Sequence, residues 1–197
     1  MKYTEEKIYT EMGLDRRGIK WEDSKMNILI PMAGAGSRFA KAGYTFPKPL
    51  IEVRNKPMIQ VVVENLNMDD SLSFVCEFLQ KNIKGYDWVG YYFHNDENQL
   101  VLKTYFGLKT DHTIIPFGKG ICGQTAESNT HMIVDDVNNE ENYISCNINV
   151  KSEIVVPLFS NNINIGQIDI DSNTLSRFKL DDLKFLKKVN ILISKKI

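Results

Sequence analysis

Residues 153–171 decide the fold, reading EIVVPLF at 153–159, SNN at 160–162 and INIGQIDID at 163–171. The two outer runs are rich in β-branched residues, which favour strands, and the asparagine pair between them is typical of a tight turn. We therefore predict a β-hairpin here. It lies within residues 115–172, a stretch that carries two of the three cysteines and around which the rest of the chain is organised.

Patterns on both sides of this hairpin predict an α+β domain. A helix capped by Ser71 is expected from apolar residues at helical spacing, namely Leu72, Val75, Cys76, Leu79 and Ile83. A second helix opens at Asp181 and ends in lysines, and its apolar face is Leu183, Leu186, Val189 and Ile193. Between them we expect strands 88–93 and 99–106, a helix at 121–128 and a strand at 131–134. This order predicts an α+β domain in which an antiparallel sheet is covered on one face by the two flanking helices.

The overall charge of the chain argues against nucleic acid and membranes as partners. Among 197 residues, 24 Lys and Arg balance 25 Asp and Glu, so a small neutral or zwitterionic ligand is the easier partner. No apolar run approaches the roughly 20 residues of a membrane helix, and the charged start of the chain is no signal peptide. We expect a cytoplasmic protein whose cysteines are reduced thiols rather than a disulfide framework.

Sequence patterns divide the chain into three parts. Residues 1–25 are polar without sustained periodicity, and we expect a loosely ordered lead-in. Residues 26–68 hold a short apolar run, a glycine-containing turn and a proline-started helix. Residues 69–197 carry the hairpins and the cysteines, and they form the predicted domain.

The second part resembles the opening of a sugar-phosphate nucleotidyltransferase. The similarity rests on the glycine turn and on a later Pro-Lys-Pro run. It implies four phosphate-binding residues: Gly34, Gly36, Arg38 and Lys48. Such transferases need further strands, acidic metal ligands and a sugar pocket. The segment is therefore interpreted as a truncated non-catalytic remnant, with a residual phosphate-binding flap and a working transferase as alternatives.

Two cysteines have predicted loops on both sides, so neither lies on an obvious core stripe. Cys122 belongs to the run GKGICG and Cys146 to the run NYISC. Two thiols on loops fit a pair in which one attacks and the other resolves a sulfenic acid as a disulfide. The spacing also allows two inert buried thiols. Cys76, on the apolar stripe of its helix, is interpreted as a small core residue.

Three carboxylates follow these thiols along the chain. Asp169 and Asp171 are two residues apart on a predicted strand, so their side chains leave the same face. This pattern alone also fits a solvent-facing edge, but Glu153 opens the neighbouring strand and the hairpin brings it towards the same region. Three crowded, half-buried acids repel one another, so at least one holds its proton towards neutral pH. Such a cluster accepts an ammonium group and donates a proton to a leaving oxygen.

Together these segments resemble a GAF domain of the free methionine-(R)-sulfoxide reductase family. The matching runs are WVGYY at 88–92, IPFGKGICG at 115–123, YISC at 143–146, KSEIVVP at 151–157 and GQIDIDS at 166–172. They occur in the expected order. The SEIVVP and DIDS runs are specific to this branch rather than to GAF domains at large.

The resemblance implies a role for each candidate site residue. Cys146 would be the attacking thiol and Cys122 a recycling thiol. Glu153, Asp169 and Asp171 would bind the amino group and the sulfoxide oxygen of the substrate. Trp88 and Tyr92 would lie at its methyl-sulfinyl end. Free methionine sulfoxide is the implied substrate and thioredoxin the external reductant, and no metal or organic cofactor is implied.

One position departs from the family pattern. The family usually has another cysteine ten residues before Cys122, where this chain has His112. Because that cysteine commonly resolves the sulfenic acid, Cys122 or an external thiol would have to do so here. His112 is either a polar surface residue or a group that lowers the pKa of a nearby thiol. His94 and His131 show no zinc-ligand spacing with the cysteines.

The leading hypothesis is a two-cysteine reductase of free L-methionine (R)-sulfoxide. Absence of the usual resolving cysteine leaves a second hypothesis, a GAF module that binds or senses a small molecule without turnover. A third is a nucleotide-binding or nucleotidyltransferase role for residues 26–66. GAF domains often pair through their flanking helices, so we also consider a homodimer.

Overall fold

Six strands of the chain form one antiparallel sheet. The computed structural model describes residues 52–53, 56–140, 142 and 149–197. The strands in these ranges are β1 (Glu52–Val53), β2 (Lys56–Pro57), β3 (Trp88–His94), β4 (Gln99–Phe106), β5 (Ile114–Pro116), β6 (Met132–Val134), β7 (Ser152–Ser160) and β8 (Ile163–Ser172). The first two form a separate two-stranded sheet, and the other six are ordered β5-β4-β3-β8-β7-β6.

Helices account for most of the remaining regular structure. They are α1 (Met58–Asn65), α2 (Met68–Asn82), α3 (Gly120–Ser128) and α4 (Leu180–Ser194), with a 3-10 turn at Val137–Asn139. The predicted α+β class is confirmed, including the short helix before β6. Within the described ranges, no helix is both long and apolar enough to cross a membrane.

The β7–β8 hairpin lies in the sheet as predicted. Its turn residues Asn161 and Asn162 both have positive φ, at 50° and 65°. This is the left-handed pair that a type I′ turn needs and that asparagine tolerates. The register set by this turn places Glu153 opposite Asp171.

Helices α2 and α4 cover one face of the sheet. Their predicted apolar stripes are buried, with Leu72, Val75, Cys76 and Leu79 from α2 and Leu183, Leu186, Val189 and Ile193 from α4. Tyr91 on β3 faces α4, where its hydroxyl donates to Asn190 Oδ1 at 3.0 Å. Because side chains alternate along a strand, Trp88 and Tyr92 turn to the opposite face.

A second core lies on that opposite face, where α3 and the segments around β5 and β6 pack on the sheet. Its buried members are Trp88, Tyr92, Leu100, Ile115, Ile121, Cys122, Ala126, Val134, Val137, Val150 and Val155. This core contains one of the two predicted catalytic cysteines and both predicted aromatic residues. The candidate site is therefore built into it.

Two helix ends differ from the prediction. Helix α2 begins at Met68 rather than at Ser71, because the Asn67 side chain accepts a hydrogen bond from the Asp70 amide at 2.9 Å and caps the helix. Ser71 is one turn inside, and its hydroxyl donates to the Asn67 carbonyl at 2.6 Å. Helix α4 ends at Ser194, before the lysines that were predicted to fill its last turn.

The predicted proline-started helix is confirmed as α1, which begins directly after Pro57. Its buried residues include Ile59, Val62 and Val63. At its end, Lys196 Nζ donates to the carbonyls of Glu64 and Leu66 at 2.8 and 2.9 Å. The predicted phosphate-binding residues Gly34, Gly36, Arg38 and Lys48 lie outside the described residues, as does the predicted lead-in. The nucleotidyltransferase resemblance therefore stays a prediction.

Candidate active site

Three buried carboxylates meet on the face of the sheet opposite α4. Glu153 on β7 pairs with Asp171 on β8, and Asp169 follows two residues away on β8. Directly paired residues point to the same face, so the hairpin brings the three acids together as expected. Their exposed fractions are only 4%, 2% and 1%. This burial excludes the solvent-facing edge that the Asp-Ile-Asp pattern alone allowed.

Cys122 faces these acids from the first turn of α3. Its thiol donates to Glu153 Oε1 at 3.9 Å. One ligand atom from each of Cys122, Glu153 and Asp169 lies within 4.8 Å of the others. Cys122 lies inside the helix predicted at 121–128, so its interpretation as a loop thiol is wrong. Gly120, with φ of 61°, turns the chain directly into α3. The cysteine is 5% exposed.

Burial raises the pKa of all three acids. The pKa of Asp169 rises to about 7, although the Cys122 thiol and the Glu153 carboxyl hold it lower than burial alone would. Burial, and then the charges of Asp169 and Asp171, raise the pKa of Glu153 well above its ordinary value. Burial raises the pKa of Asp171 too, with further contributions from Asp169 and Asp87. Among the described residues no Lys or Arg pairs with these acids, so the cluster retains protons near neutral pH.

Several polar atoms of the site lack hydrogen bonds. Neither oxygen of Asp169 has a partner in the described part of the chain, and the same holds for Asp171 Oδ1 and Gln167 Oε1. Asp169 lies near the thiol and Glu153, but without the distance and angle of a conventional hydrogen bond. An unpaired buried polar atom costs about 1–3 kcal/mol. These oxygens therefore favour a ligand that supplies a cation or hydrogen-bond donors.

Trp88 and Tyr92 lie beside the acids on the same face. Trp88 pairs with Asp171 across the sheet, and the two aromatic ring centroids are 6.3 Å apart. The connection between β4 and β5 orients both rings. Trp88 Nε1 donates to the Leu108 carbonyl at 3.1 Å, and the Tyr92 hydroxyl donates to the His112 carbonyl at 2.9 Å. The polar ring atoms are thus paired, and apolar ring surface borders the carboxylates.

Gly90 is a site residue that the sequence interpretation missed. It lies between Trp88 and Tyr92 on β3, opposite Asp169. A Cβ at this position would come within 2.2 Å of Trp88 Cη2. Glycine therefore lets the indole lie over the strand. The run WVGYY contained the signal, because alternation places its glycine on the same face as the two aromatic residues.

A cavity of about 30 Å³ opens beside Trp88 and Asp171. Its lining residues are Asp87, Trp88, Leu108, Thr110, Val150, Asp171 and Asn173. Trp88 and Asp171 were predicted, whereas the others come from segments that flank the strands and carry no motif. This volume matches about one water molecule, so a bound amino acid requires the lining side chains to move apart.

The roles predicted for Cys146 and His112 stay predictions. Cys146 lies outside the described residues, so its role stays a prediction. His112 is partly buried, and its backbone amide donates to Thr110 Oγ1 at 3.1 Å while its carbonyl accepts from Tyr92. The backbone at position 112 therefore helps to hold the Tyr92 ring in place. Both roles considered for the His112 imidazole stay open.

Comparisons with known proteins agree with this architecture. The family model described as GAF domain matches residues 65–189. The chain is 36% identical over 132 residues to the free methionine-R-sulfoxide reductase of Saccharomyces cerevisiae. The aligned region covers 66% of this chain and 73% of the yeast protein. The Escherichia coli protein of the same name is 33% identical over 119 residues, or 60% of this chain and 71% of its own.

A solved structure shows the same similarity. It is the X-ray structure of free methionine-R-sulfoxide reductase from Neisseria meningitidis in complex with its substrate, with a TM-score of 0.67 and 33% identity. The match covers 71% of this chain and 84% of that one.

Proposed function

This chain belongs to the GAF domain family and to its free methionine-R-sulfoxide reductase branch, and we propose that it reduces free L-methionine (R)-sulfoxide to methionine. The observation that carries the proposal is the convergence of the Cys122 thiol and three buried acids on one face of the sheet. The yeast and Escherichia coli relatives support it, because both are reductases by name at 36% and 33% identity. The protein is an oxidoreductase on this basis.

Substrate binding follows from the charge of the pocket. Free methionine sulfoxide carries an ammonium group, and carboxylates without a Lys or Arg partner attract a cation strongly when they are buried. The ammonium also donates hydrogen bonds to oxygens of Asp169 and Asp171 that lack other partners among the described residues. Trp88 and Tyr92 border the methyl-sulfinyl end. Charge thus orients the amino end and apolar contact orients the sulfur.

The reduction step transfers oxygen from the substrate to Cys146. Its thiolate attacks the sulfoxide sulfur while a protonated carboxyl, Asp169 or Glu153, donates its proton to the oxygen. The substrate S–O bond breaks, Cys146 becomes a sulfenic acid and methionine leaves. A pKa of about 7 lets Asp169 hold this proton at neutral pH.

Regeneration consumes a second thiol. Cys122 attacks the sulfenic acid of Cys146, so that a disulfide forms and water leaves. Thioredoxin then reduces the disulfide with two electrons and is itself oxidised. The net reaction converts methionine sulfoxide and reduced thioredoxin to methionine, oxidised thioredoxin and water, and it uses no metal or organic cofactor.

A thioredoxin-coupled assay tests the proposal with each sulfoxide epimer. We expect NADPH consumption, through thioredoxin reductase, with the (R)-epimer and none with the (S)-epimer. Cys146→Ser should abolish turnover. Cys76→Ala should retain it, because Cys76 lies on the other side of the sheet. Equal turnover of the two epimers, or full activity in Cys146→Ser, would contradict the proposal.

The burial of Cys122 favours a second candidate function, ligand sensing without turnover. With 5% of the residue exposed, a disulfide to another thiol and its reduction by thioredoxin require α3 or a neighbouring segment to move. A sensor predicts that methionine sulfoxide binds in calorimetry while no NADPH is consumed in the coupled assay. Turnover of the (R)-epimer excludes this alternative.

A further inference from the structure

We propose that Cys122, Glu153 and Asp169 form a binding site for a thiophilic divalent cation, with Zn²⁺ as the preferred ion. The three side chains come from α3, β7 and β8, and their ligand atoms lie within 4.8 Å of one another. Each residue is more than nine-tenths buried. The sequence shows no zinc-ligand spacing, because the site exists only where three separate elements meet.

The separation of Cys122 and Glu153 is close to that of two ligands in a zinc centre. With Zn–S of about 2.3 Å and Zn–O of about 2.0 Å, tetrahedral geometry places a sulfur and an oxygen ligand about 3.5 Å apart. Cys122 Sγ and Glu153 Oε1 are 3.9 Å apart. Small side-chain rotations close the remaining gaps.

Asp169 independently indicates that a ligand belongs at this position. Its side chain is 1% exposed, yet neither oxygen has a hydrogen-bond partner among the described residues. One of them lies within 4.8 Å of ligand atoms of Cys122 and Glu153. A cation between the three groups satisfies an Asp169 oxygen and offsets the repulsion of the two carboxylates.

The mixture of sulfur and oxygen ligands selects the metal. Mg²⁺ and Ca²⁺ prefer oxygen ligands alone, whereas Zn²⁺ binds thiolate and carboxylate together. Binding displaces the thiol proton of Cys122. The cation then holds the thiol and the acids that turnover requires, so it competes with substrate. This competition rests on the proposed function, whereas metal binding does not.

The test uses the full chain, reduced with a phosphine that does not chelate zinc, and Zn²⁺ and Co²⁺ as probes. Wild type should bind one Zn²⁺ in competition with a chelating dye, and Co²⁺ should give thiolate-to-metal charge-transfer absorption. Cys122→Ser should abolish that absorption and weaken Zn²⁺ affinity by at least about tenfold. Asp169→Asn should weaken affinity while keeping the absorption. Cys146→Ser and Cys76→Ala should keep both.

The possible failures are distinguishable. Absence of Zn²⁺ binding to wild type, or charge-transfer absorption that survives in Cys122→Ser, overturns the metal site whatever the activity. Zn²⁺ binding that depends on Cys122 in a chain without turnover supports the metal site and overturns the reductase. In an active enzyme, Zn²⁺ should inhibit, a chelator should reverse the inhibition, and raising the methionine sulfoxide concentration should weaken it.

Discussion

The two faces of the sheet bury polar groups in opposite ways. On the face covered by α2 and α4, Asn190 is 4% exposed and accepts a hydrogen bond from Tyr91. Its amide also donates to the carbonyls of Val156 and Pro157, both at 3.0 Å. On the other face Asp169 is as deeply buried, but its oxygens lack partners among the described residues. The buried Asn190 on the first face has its hydrogen-bond partners within the chain, whereas the buried Asp169 on the second face can still bind a ligand.

The two described cysteines show the same contrast. The Cys76 thiol is 3.9 Å from the Thr104 carbonyl, and burial raises its pKa far above its ordinary value, so it stays an inert core thiol. Cys122 is also buried, but it faces Glu153 at 3.9 Å. Burial alone therefore does not distinguish the two thiols, whereas the groups that they face differ.

The largest effect is expected on catalysis, when one of the buried acids is replaced. Glu153→Gln removes an ionisable group from the cluster, and we expect kcat/KM for the (R)-epimer to fall by about 10²–10⁴. The coupled assay measures this. Glu127→Gln on the exposed side of α3 is the matched control and should leave kcat/KM unchanged. Similar activity in the two variants would exclude a role for Glu153 in the mechanism.

The protein should lose stability when Asn190, on the face covered by α2 and α4, is replaced. Asn190→Ala leaves the Tyr91 hydroxyl without its acceptor, and we expect unfolding free energy to fall by about 2–4 kcal/mol. Urea unfolding measures the change. Lys184→Ala, an exposed position on the same helix, should stay within about 0.5 kcal/mol of wild type. Equal losses in both variants would mean that the Asn190 bonds contribute little.

Replacing Asp169 by a neutral residue should instead raise the free energy of unfolding. Asp169 binds its proton more tightly in the folded chain, where its pKa is about 7, than at its ordinary value of 3.8. Its contribution to stability is therefore complete below pH 3.8 and is lost as pH rises through about 7. Asp169→Asn escapes this loss, so we expect it to be more stable than wild type by about 3–4 kcal/mol at pH 8.

Urea unfolding with a metal chelator present measures this difference at several pH values. The advantage of Asp169→Asn should grow between about pH 4 and 7 and then level off. A variant whose relative stability is independent of pH, or falls as pH rises, would show that Asp169 is not strained in the way its burial indicates.

The smallest effect is expected at the aromatic side of the pocket. Tyr92→Phe removes the 2.9 Å hydrogen bond to the His112 carbonyl and should cost about 1 kcal/mol, seen as a modest rise in KM with kcat retained. Tyr105→Phe is a control, since its ring also contacts Trp88. A change in kcat rather than KM would give Tyr92 a role in the chemical step.

Individual residues show which features of the site a local sequence pattern can predict. Asp169 and Asp171 were assigned to one face from alternation, and the asparagine turn brought Glu153 to them, because both properties depend on a few neighbouring residues. Cys122 was interpreted as a loop thiol although a helix was predicted over residues 121–128, because a glycine-rich run is compatible with both a loop and a helix start. The cap of α2 was misassigned to Ser71 because Asn67, one turn earlier, offers a better acceptor geometry.

By itself the sequence determined the α+β class, the hairpins and the strand face that carries the acids, because alternation and turn chemistry act over short distances along the chain. Only the tertiary structure decided that these acids are buried without a basic partner among the described residues, that Cys122 faces them and that Trp88 lies over Gly90. Those properties depend on the loss of water and on contacts between distant segments, which arise only once α3 and the β4–β5 connection pack on the sheet.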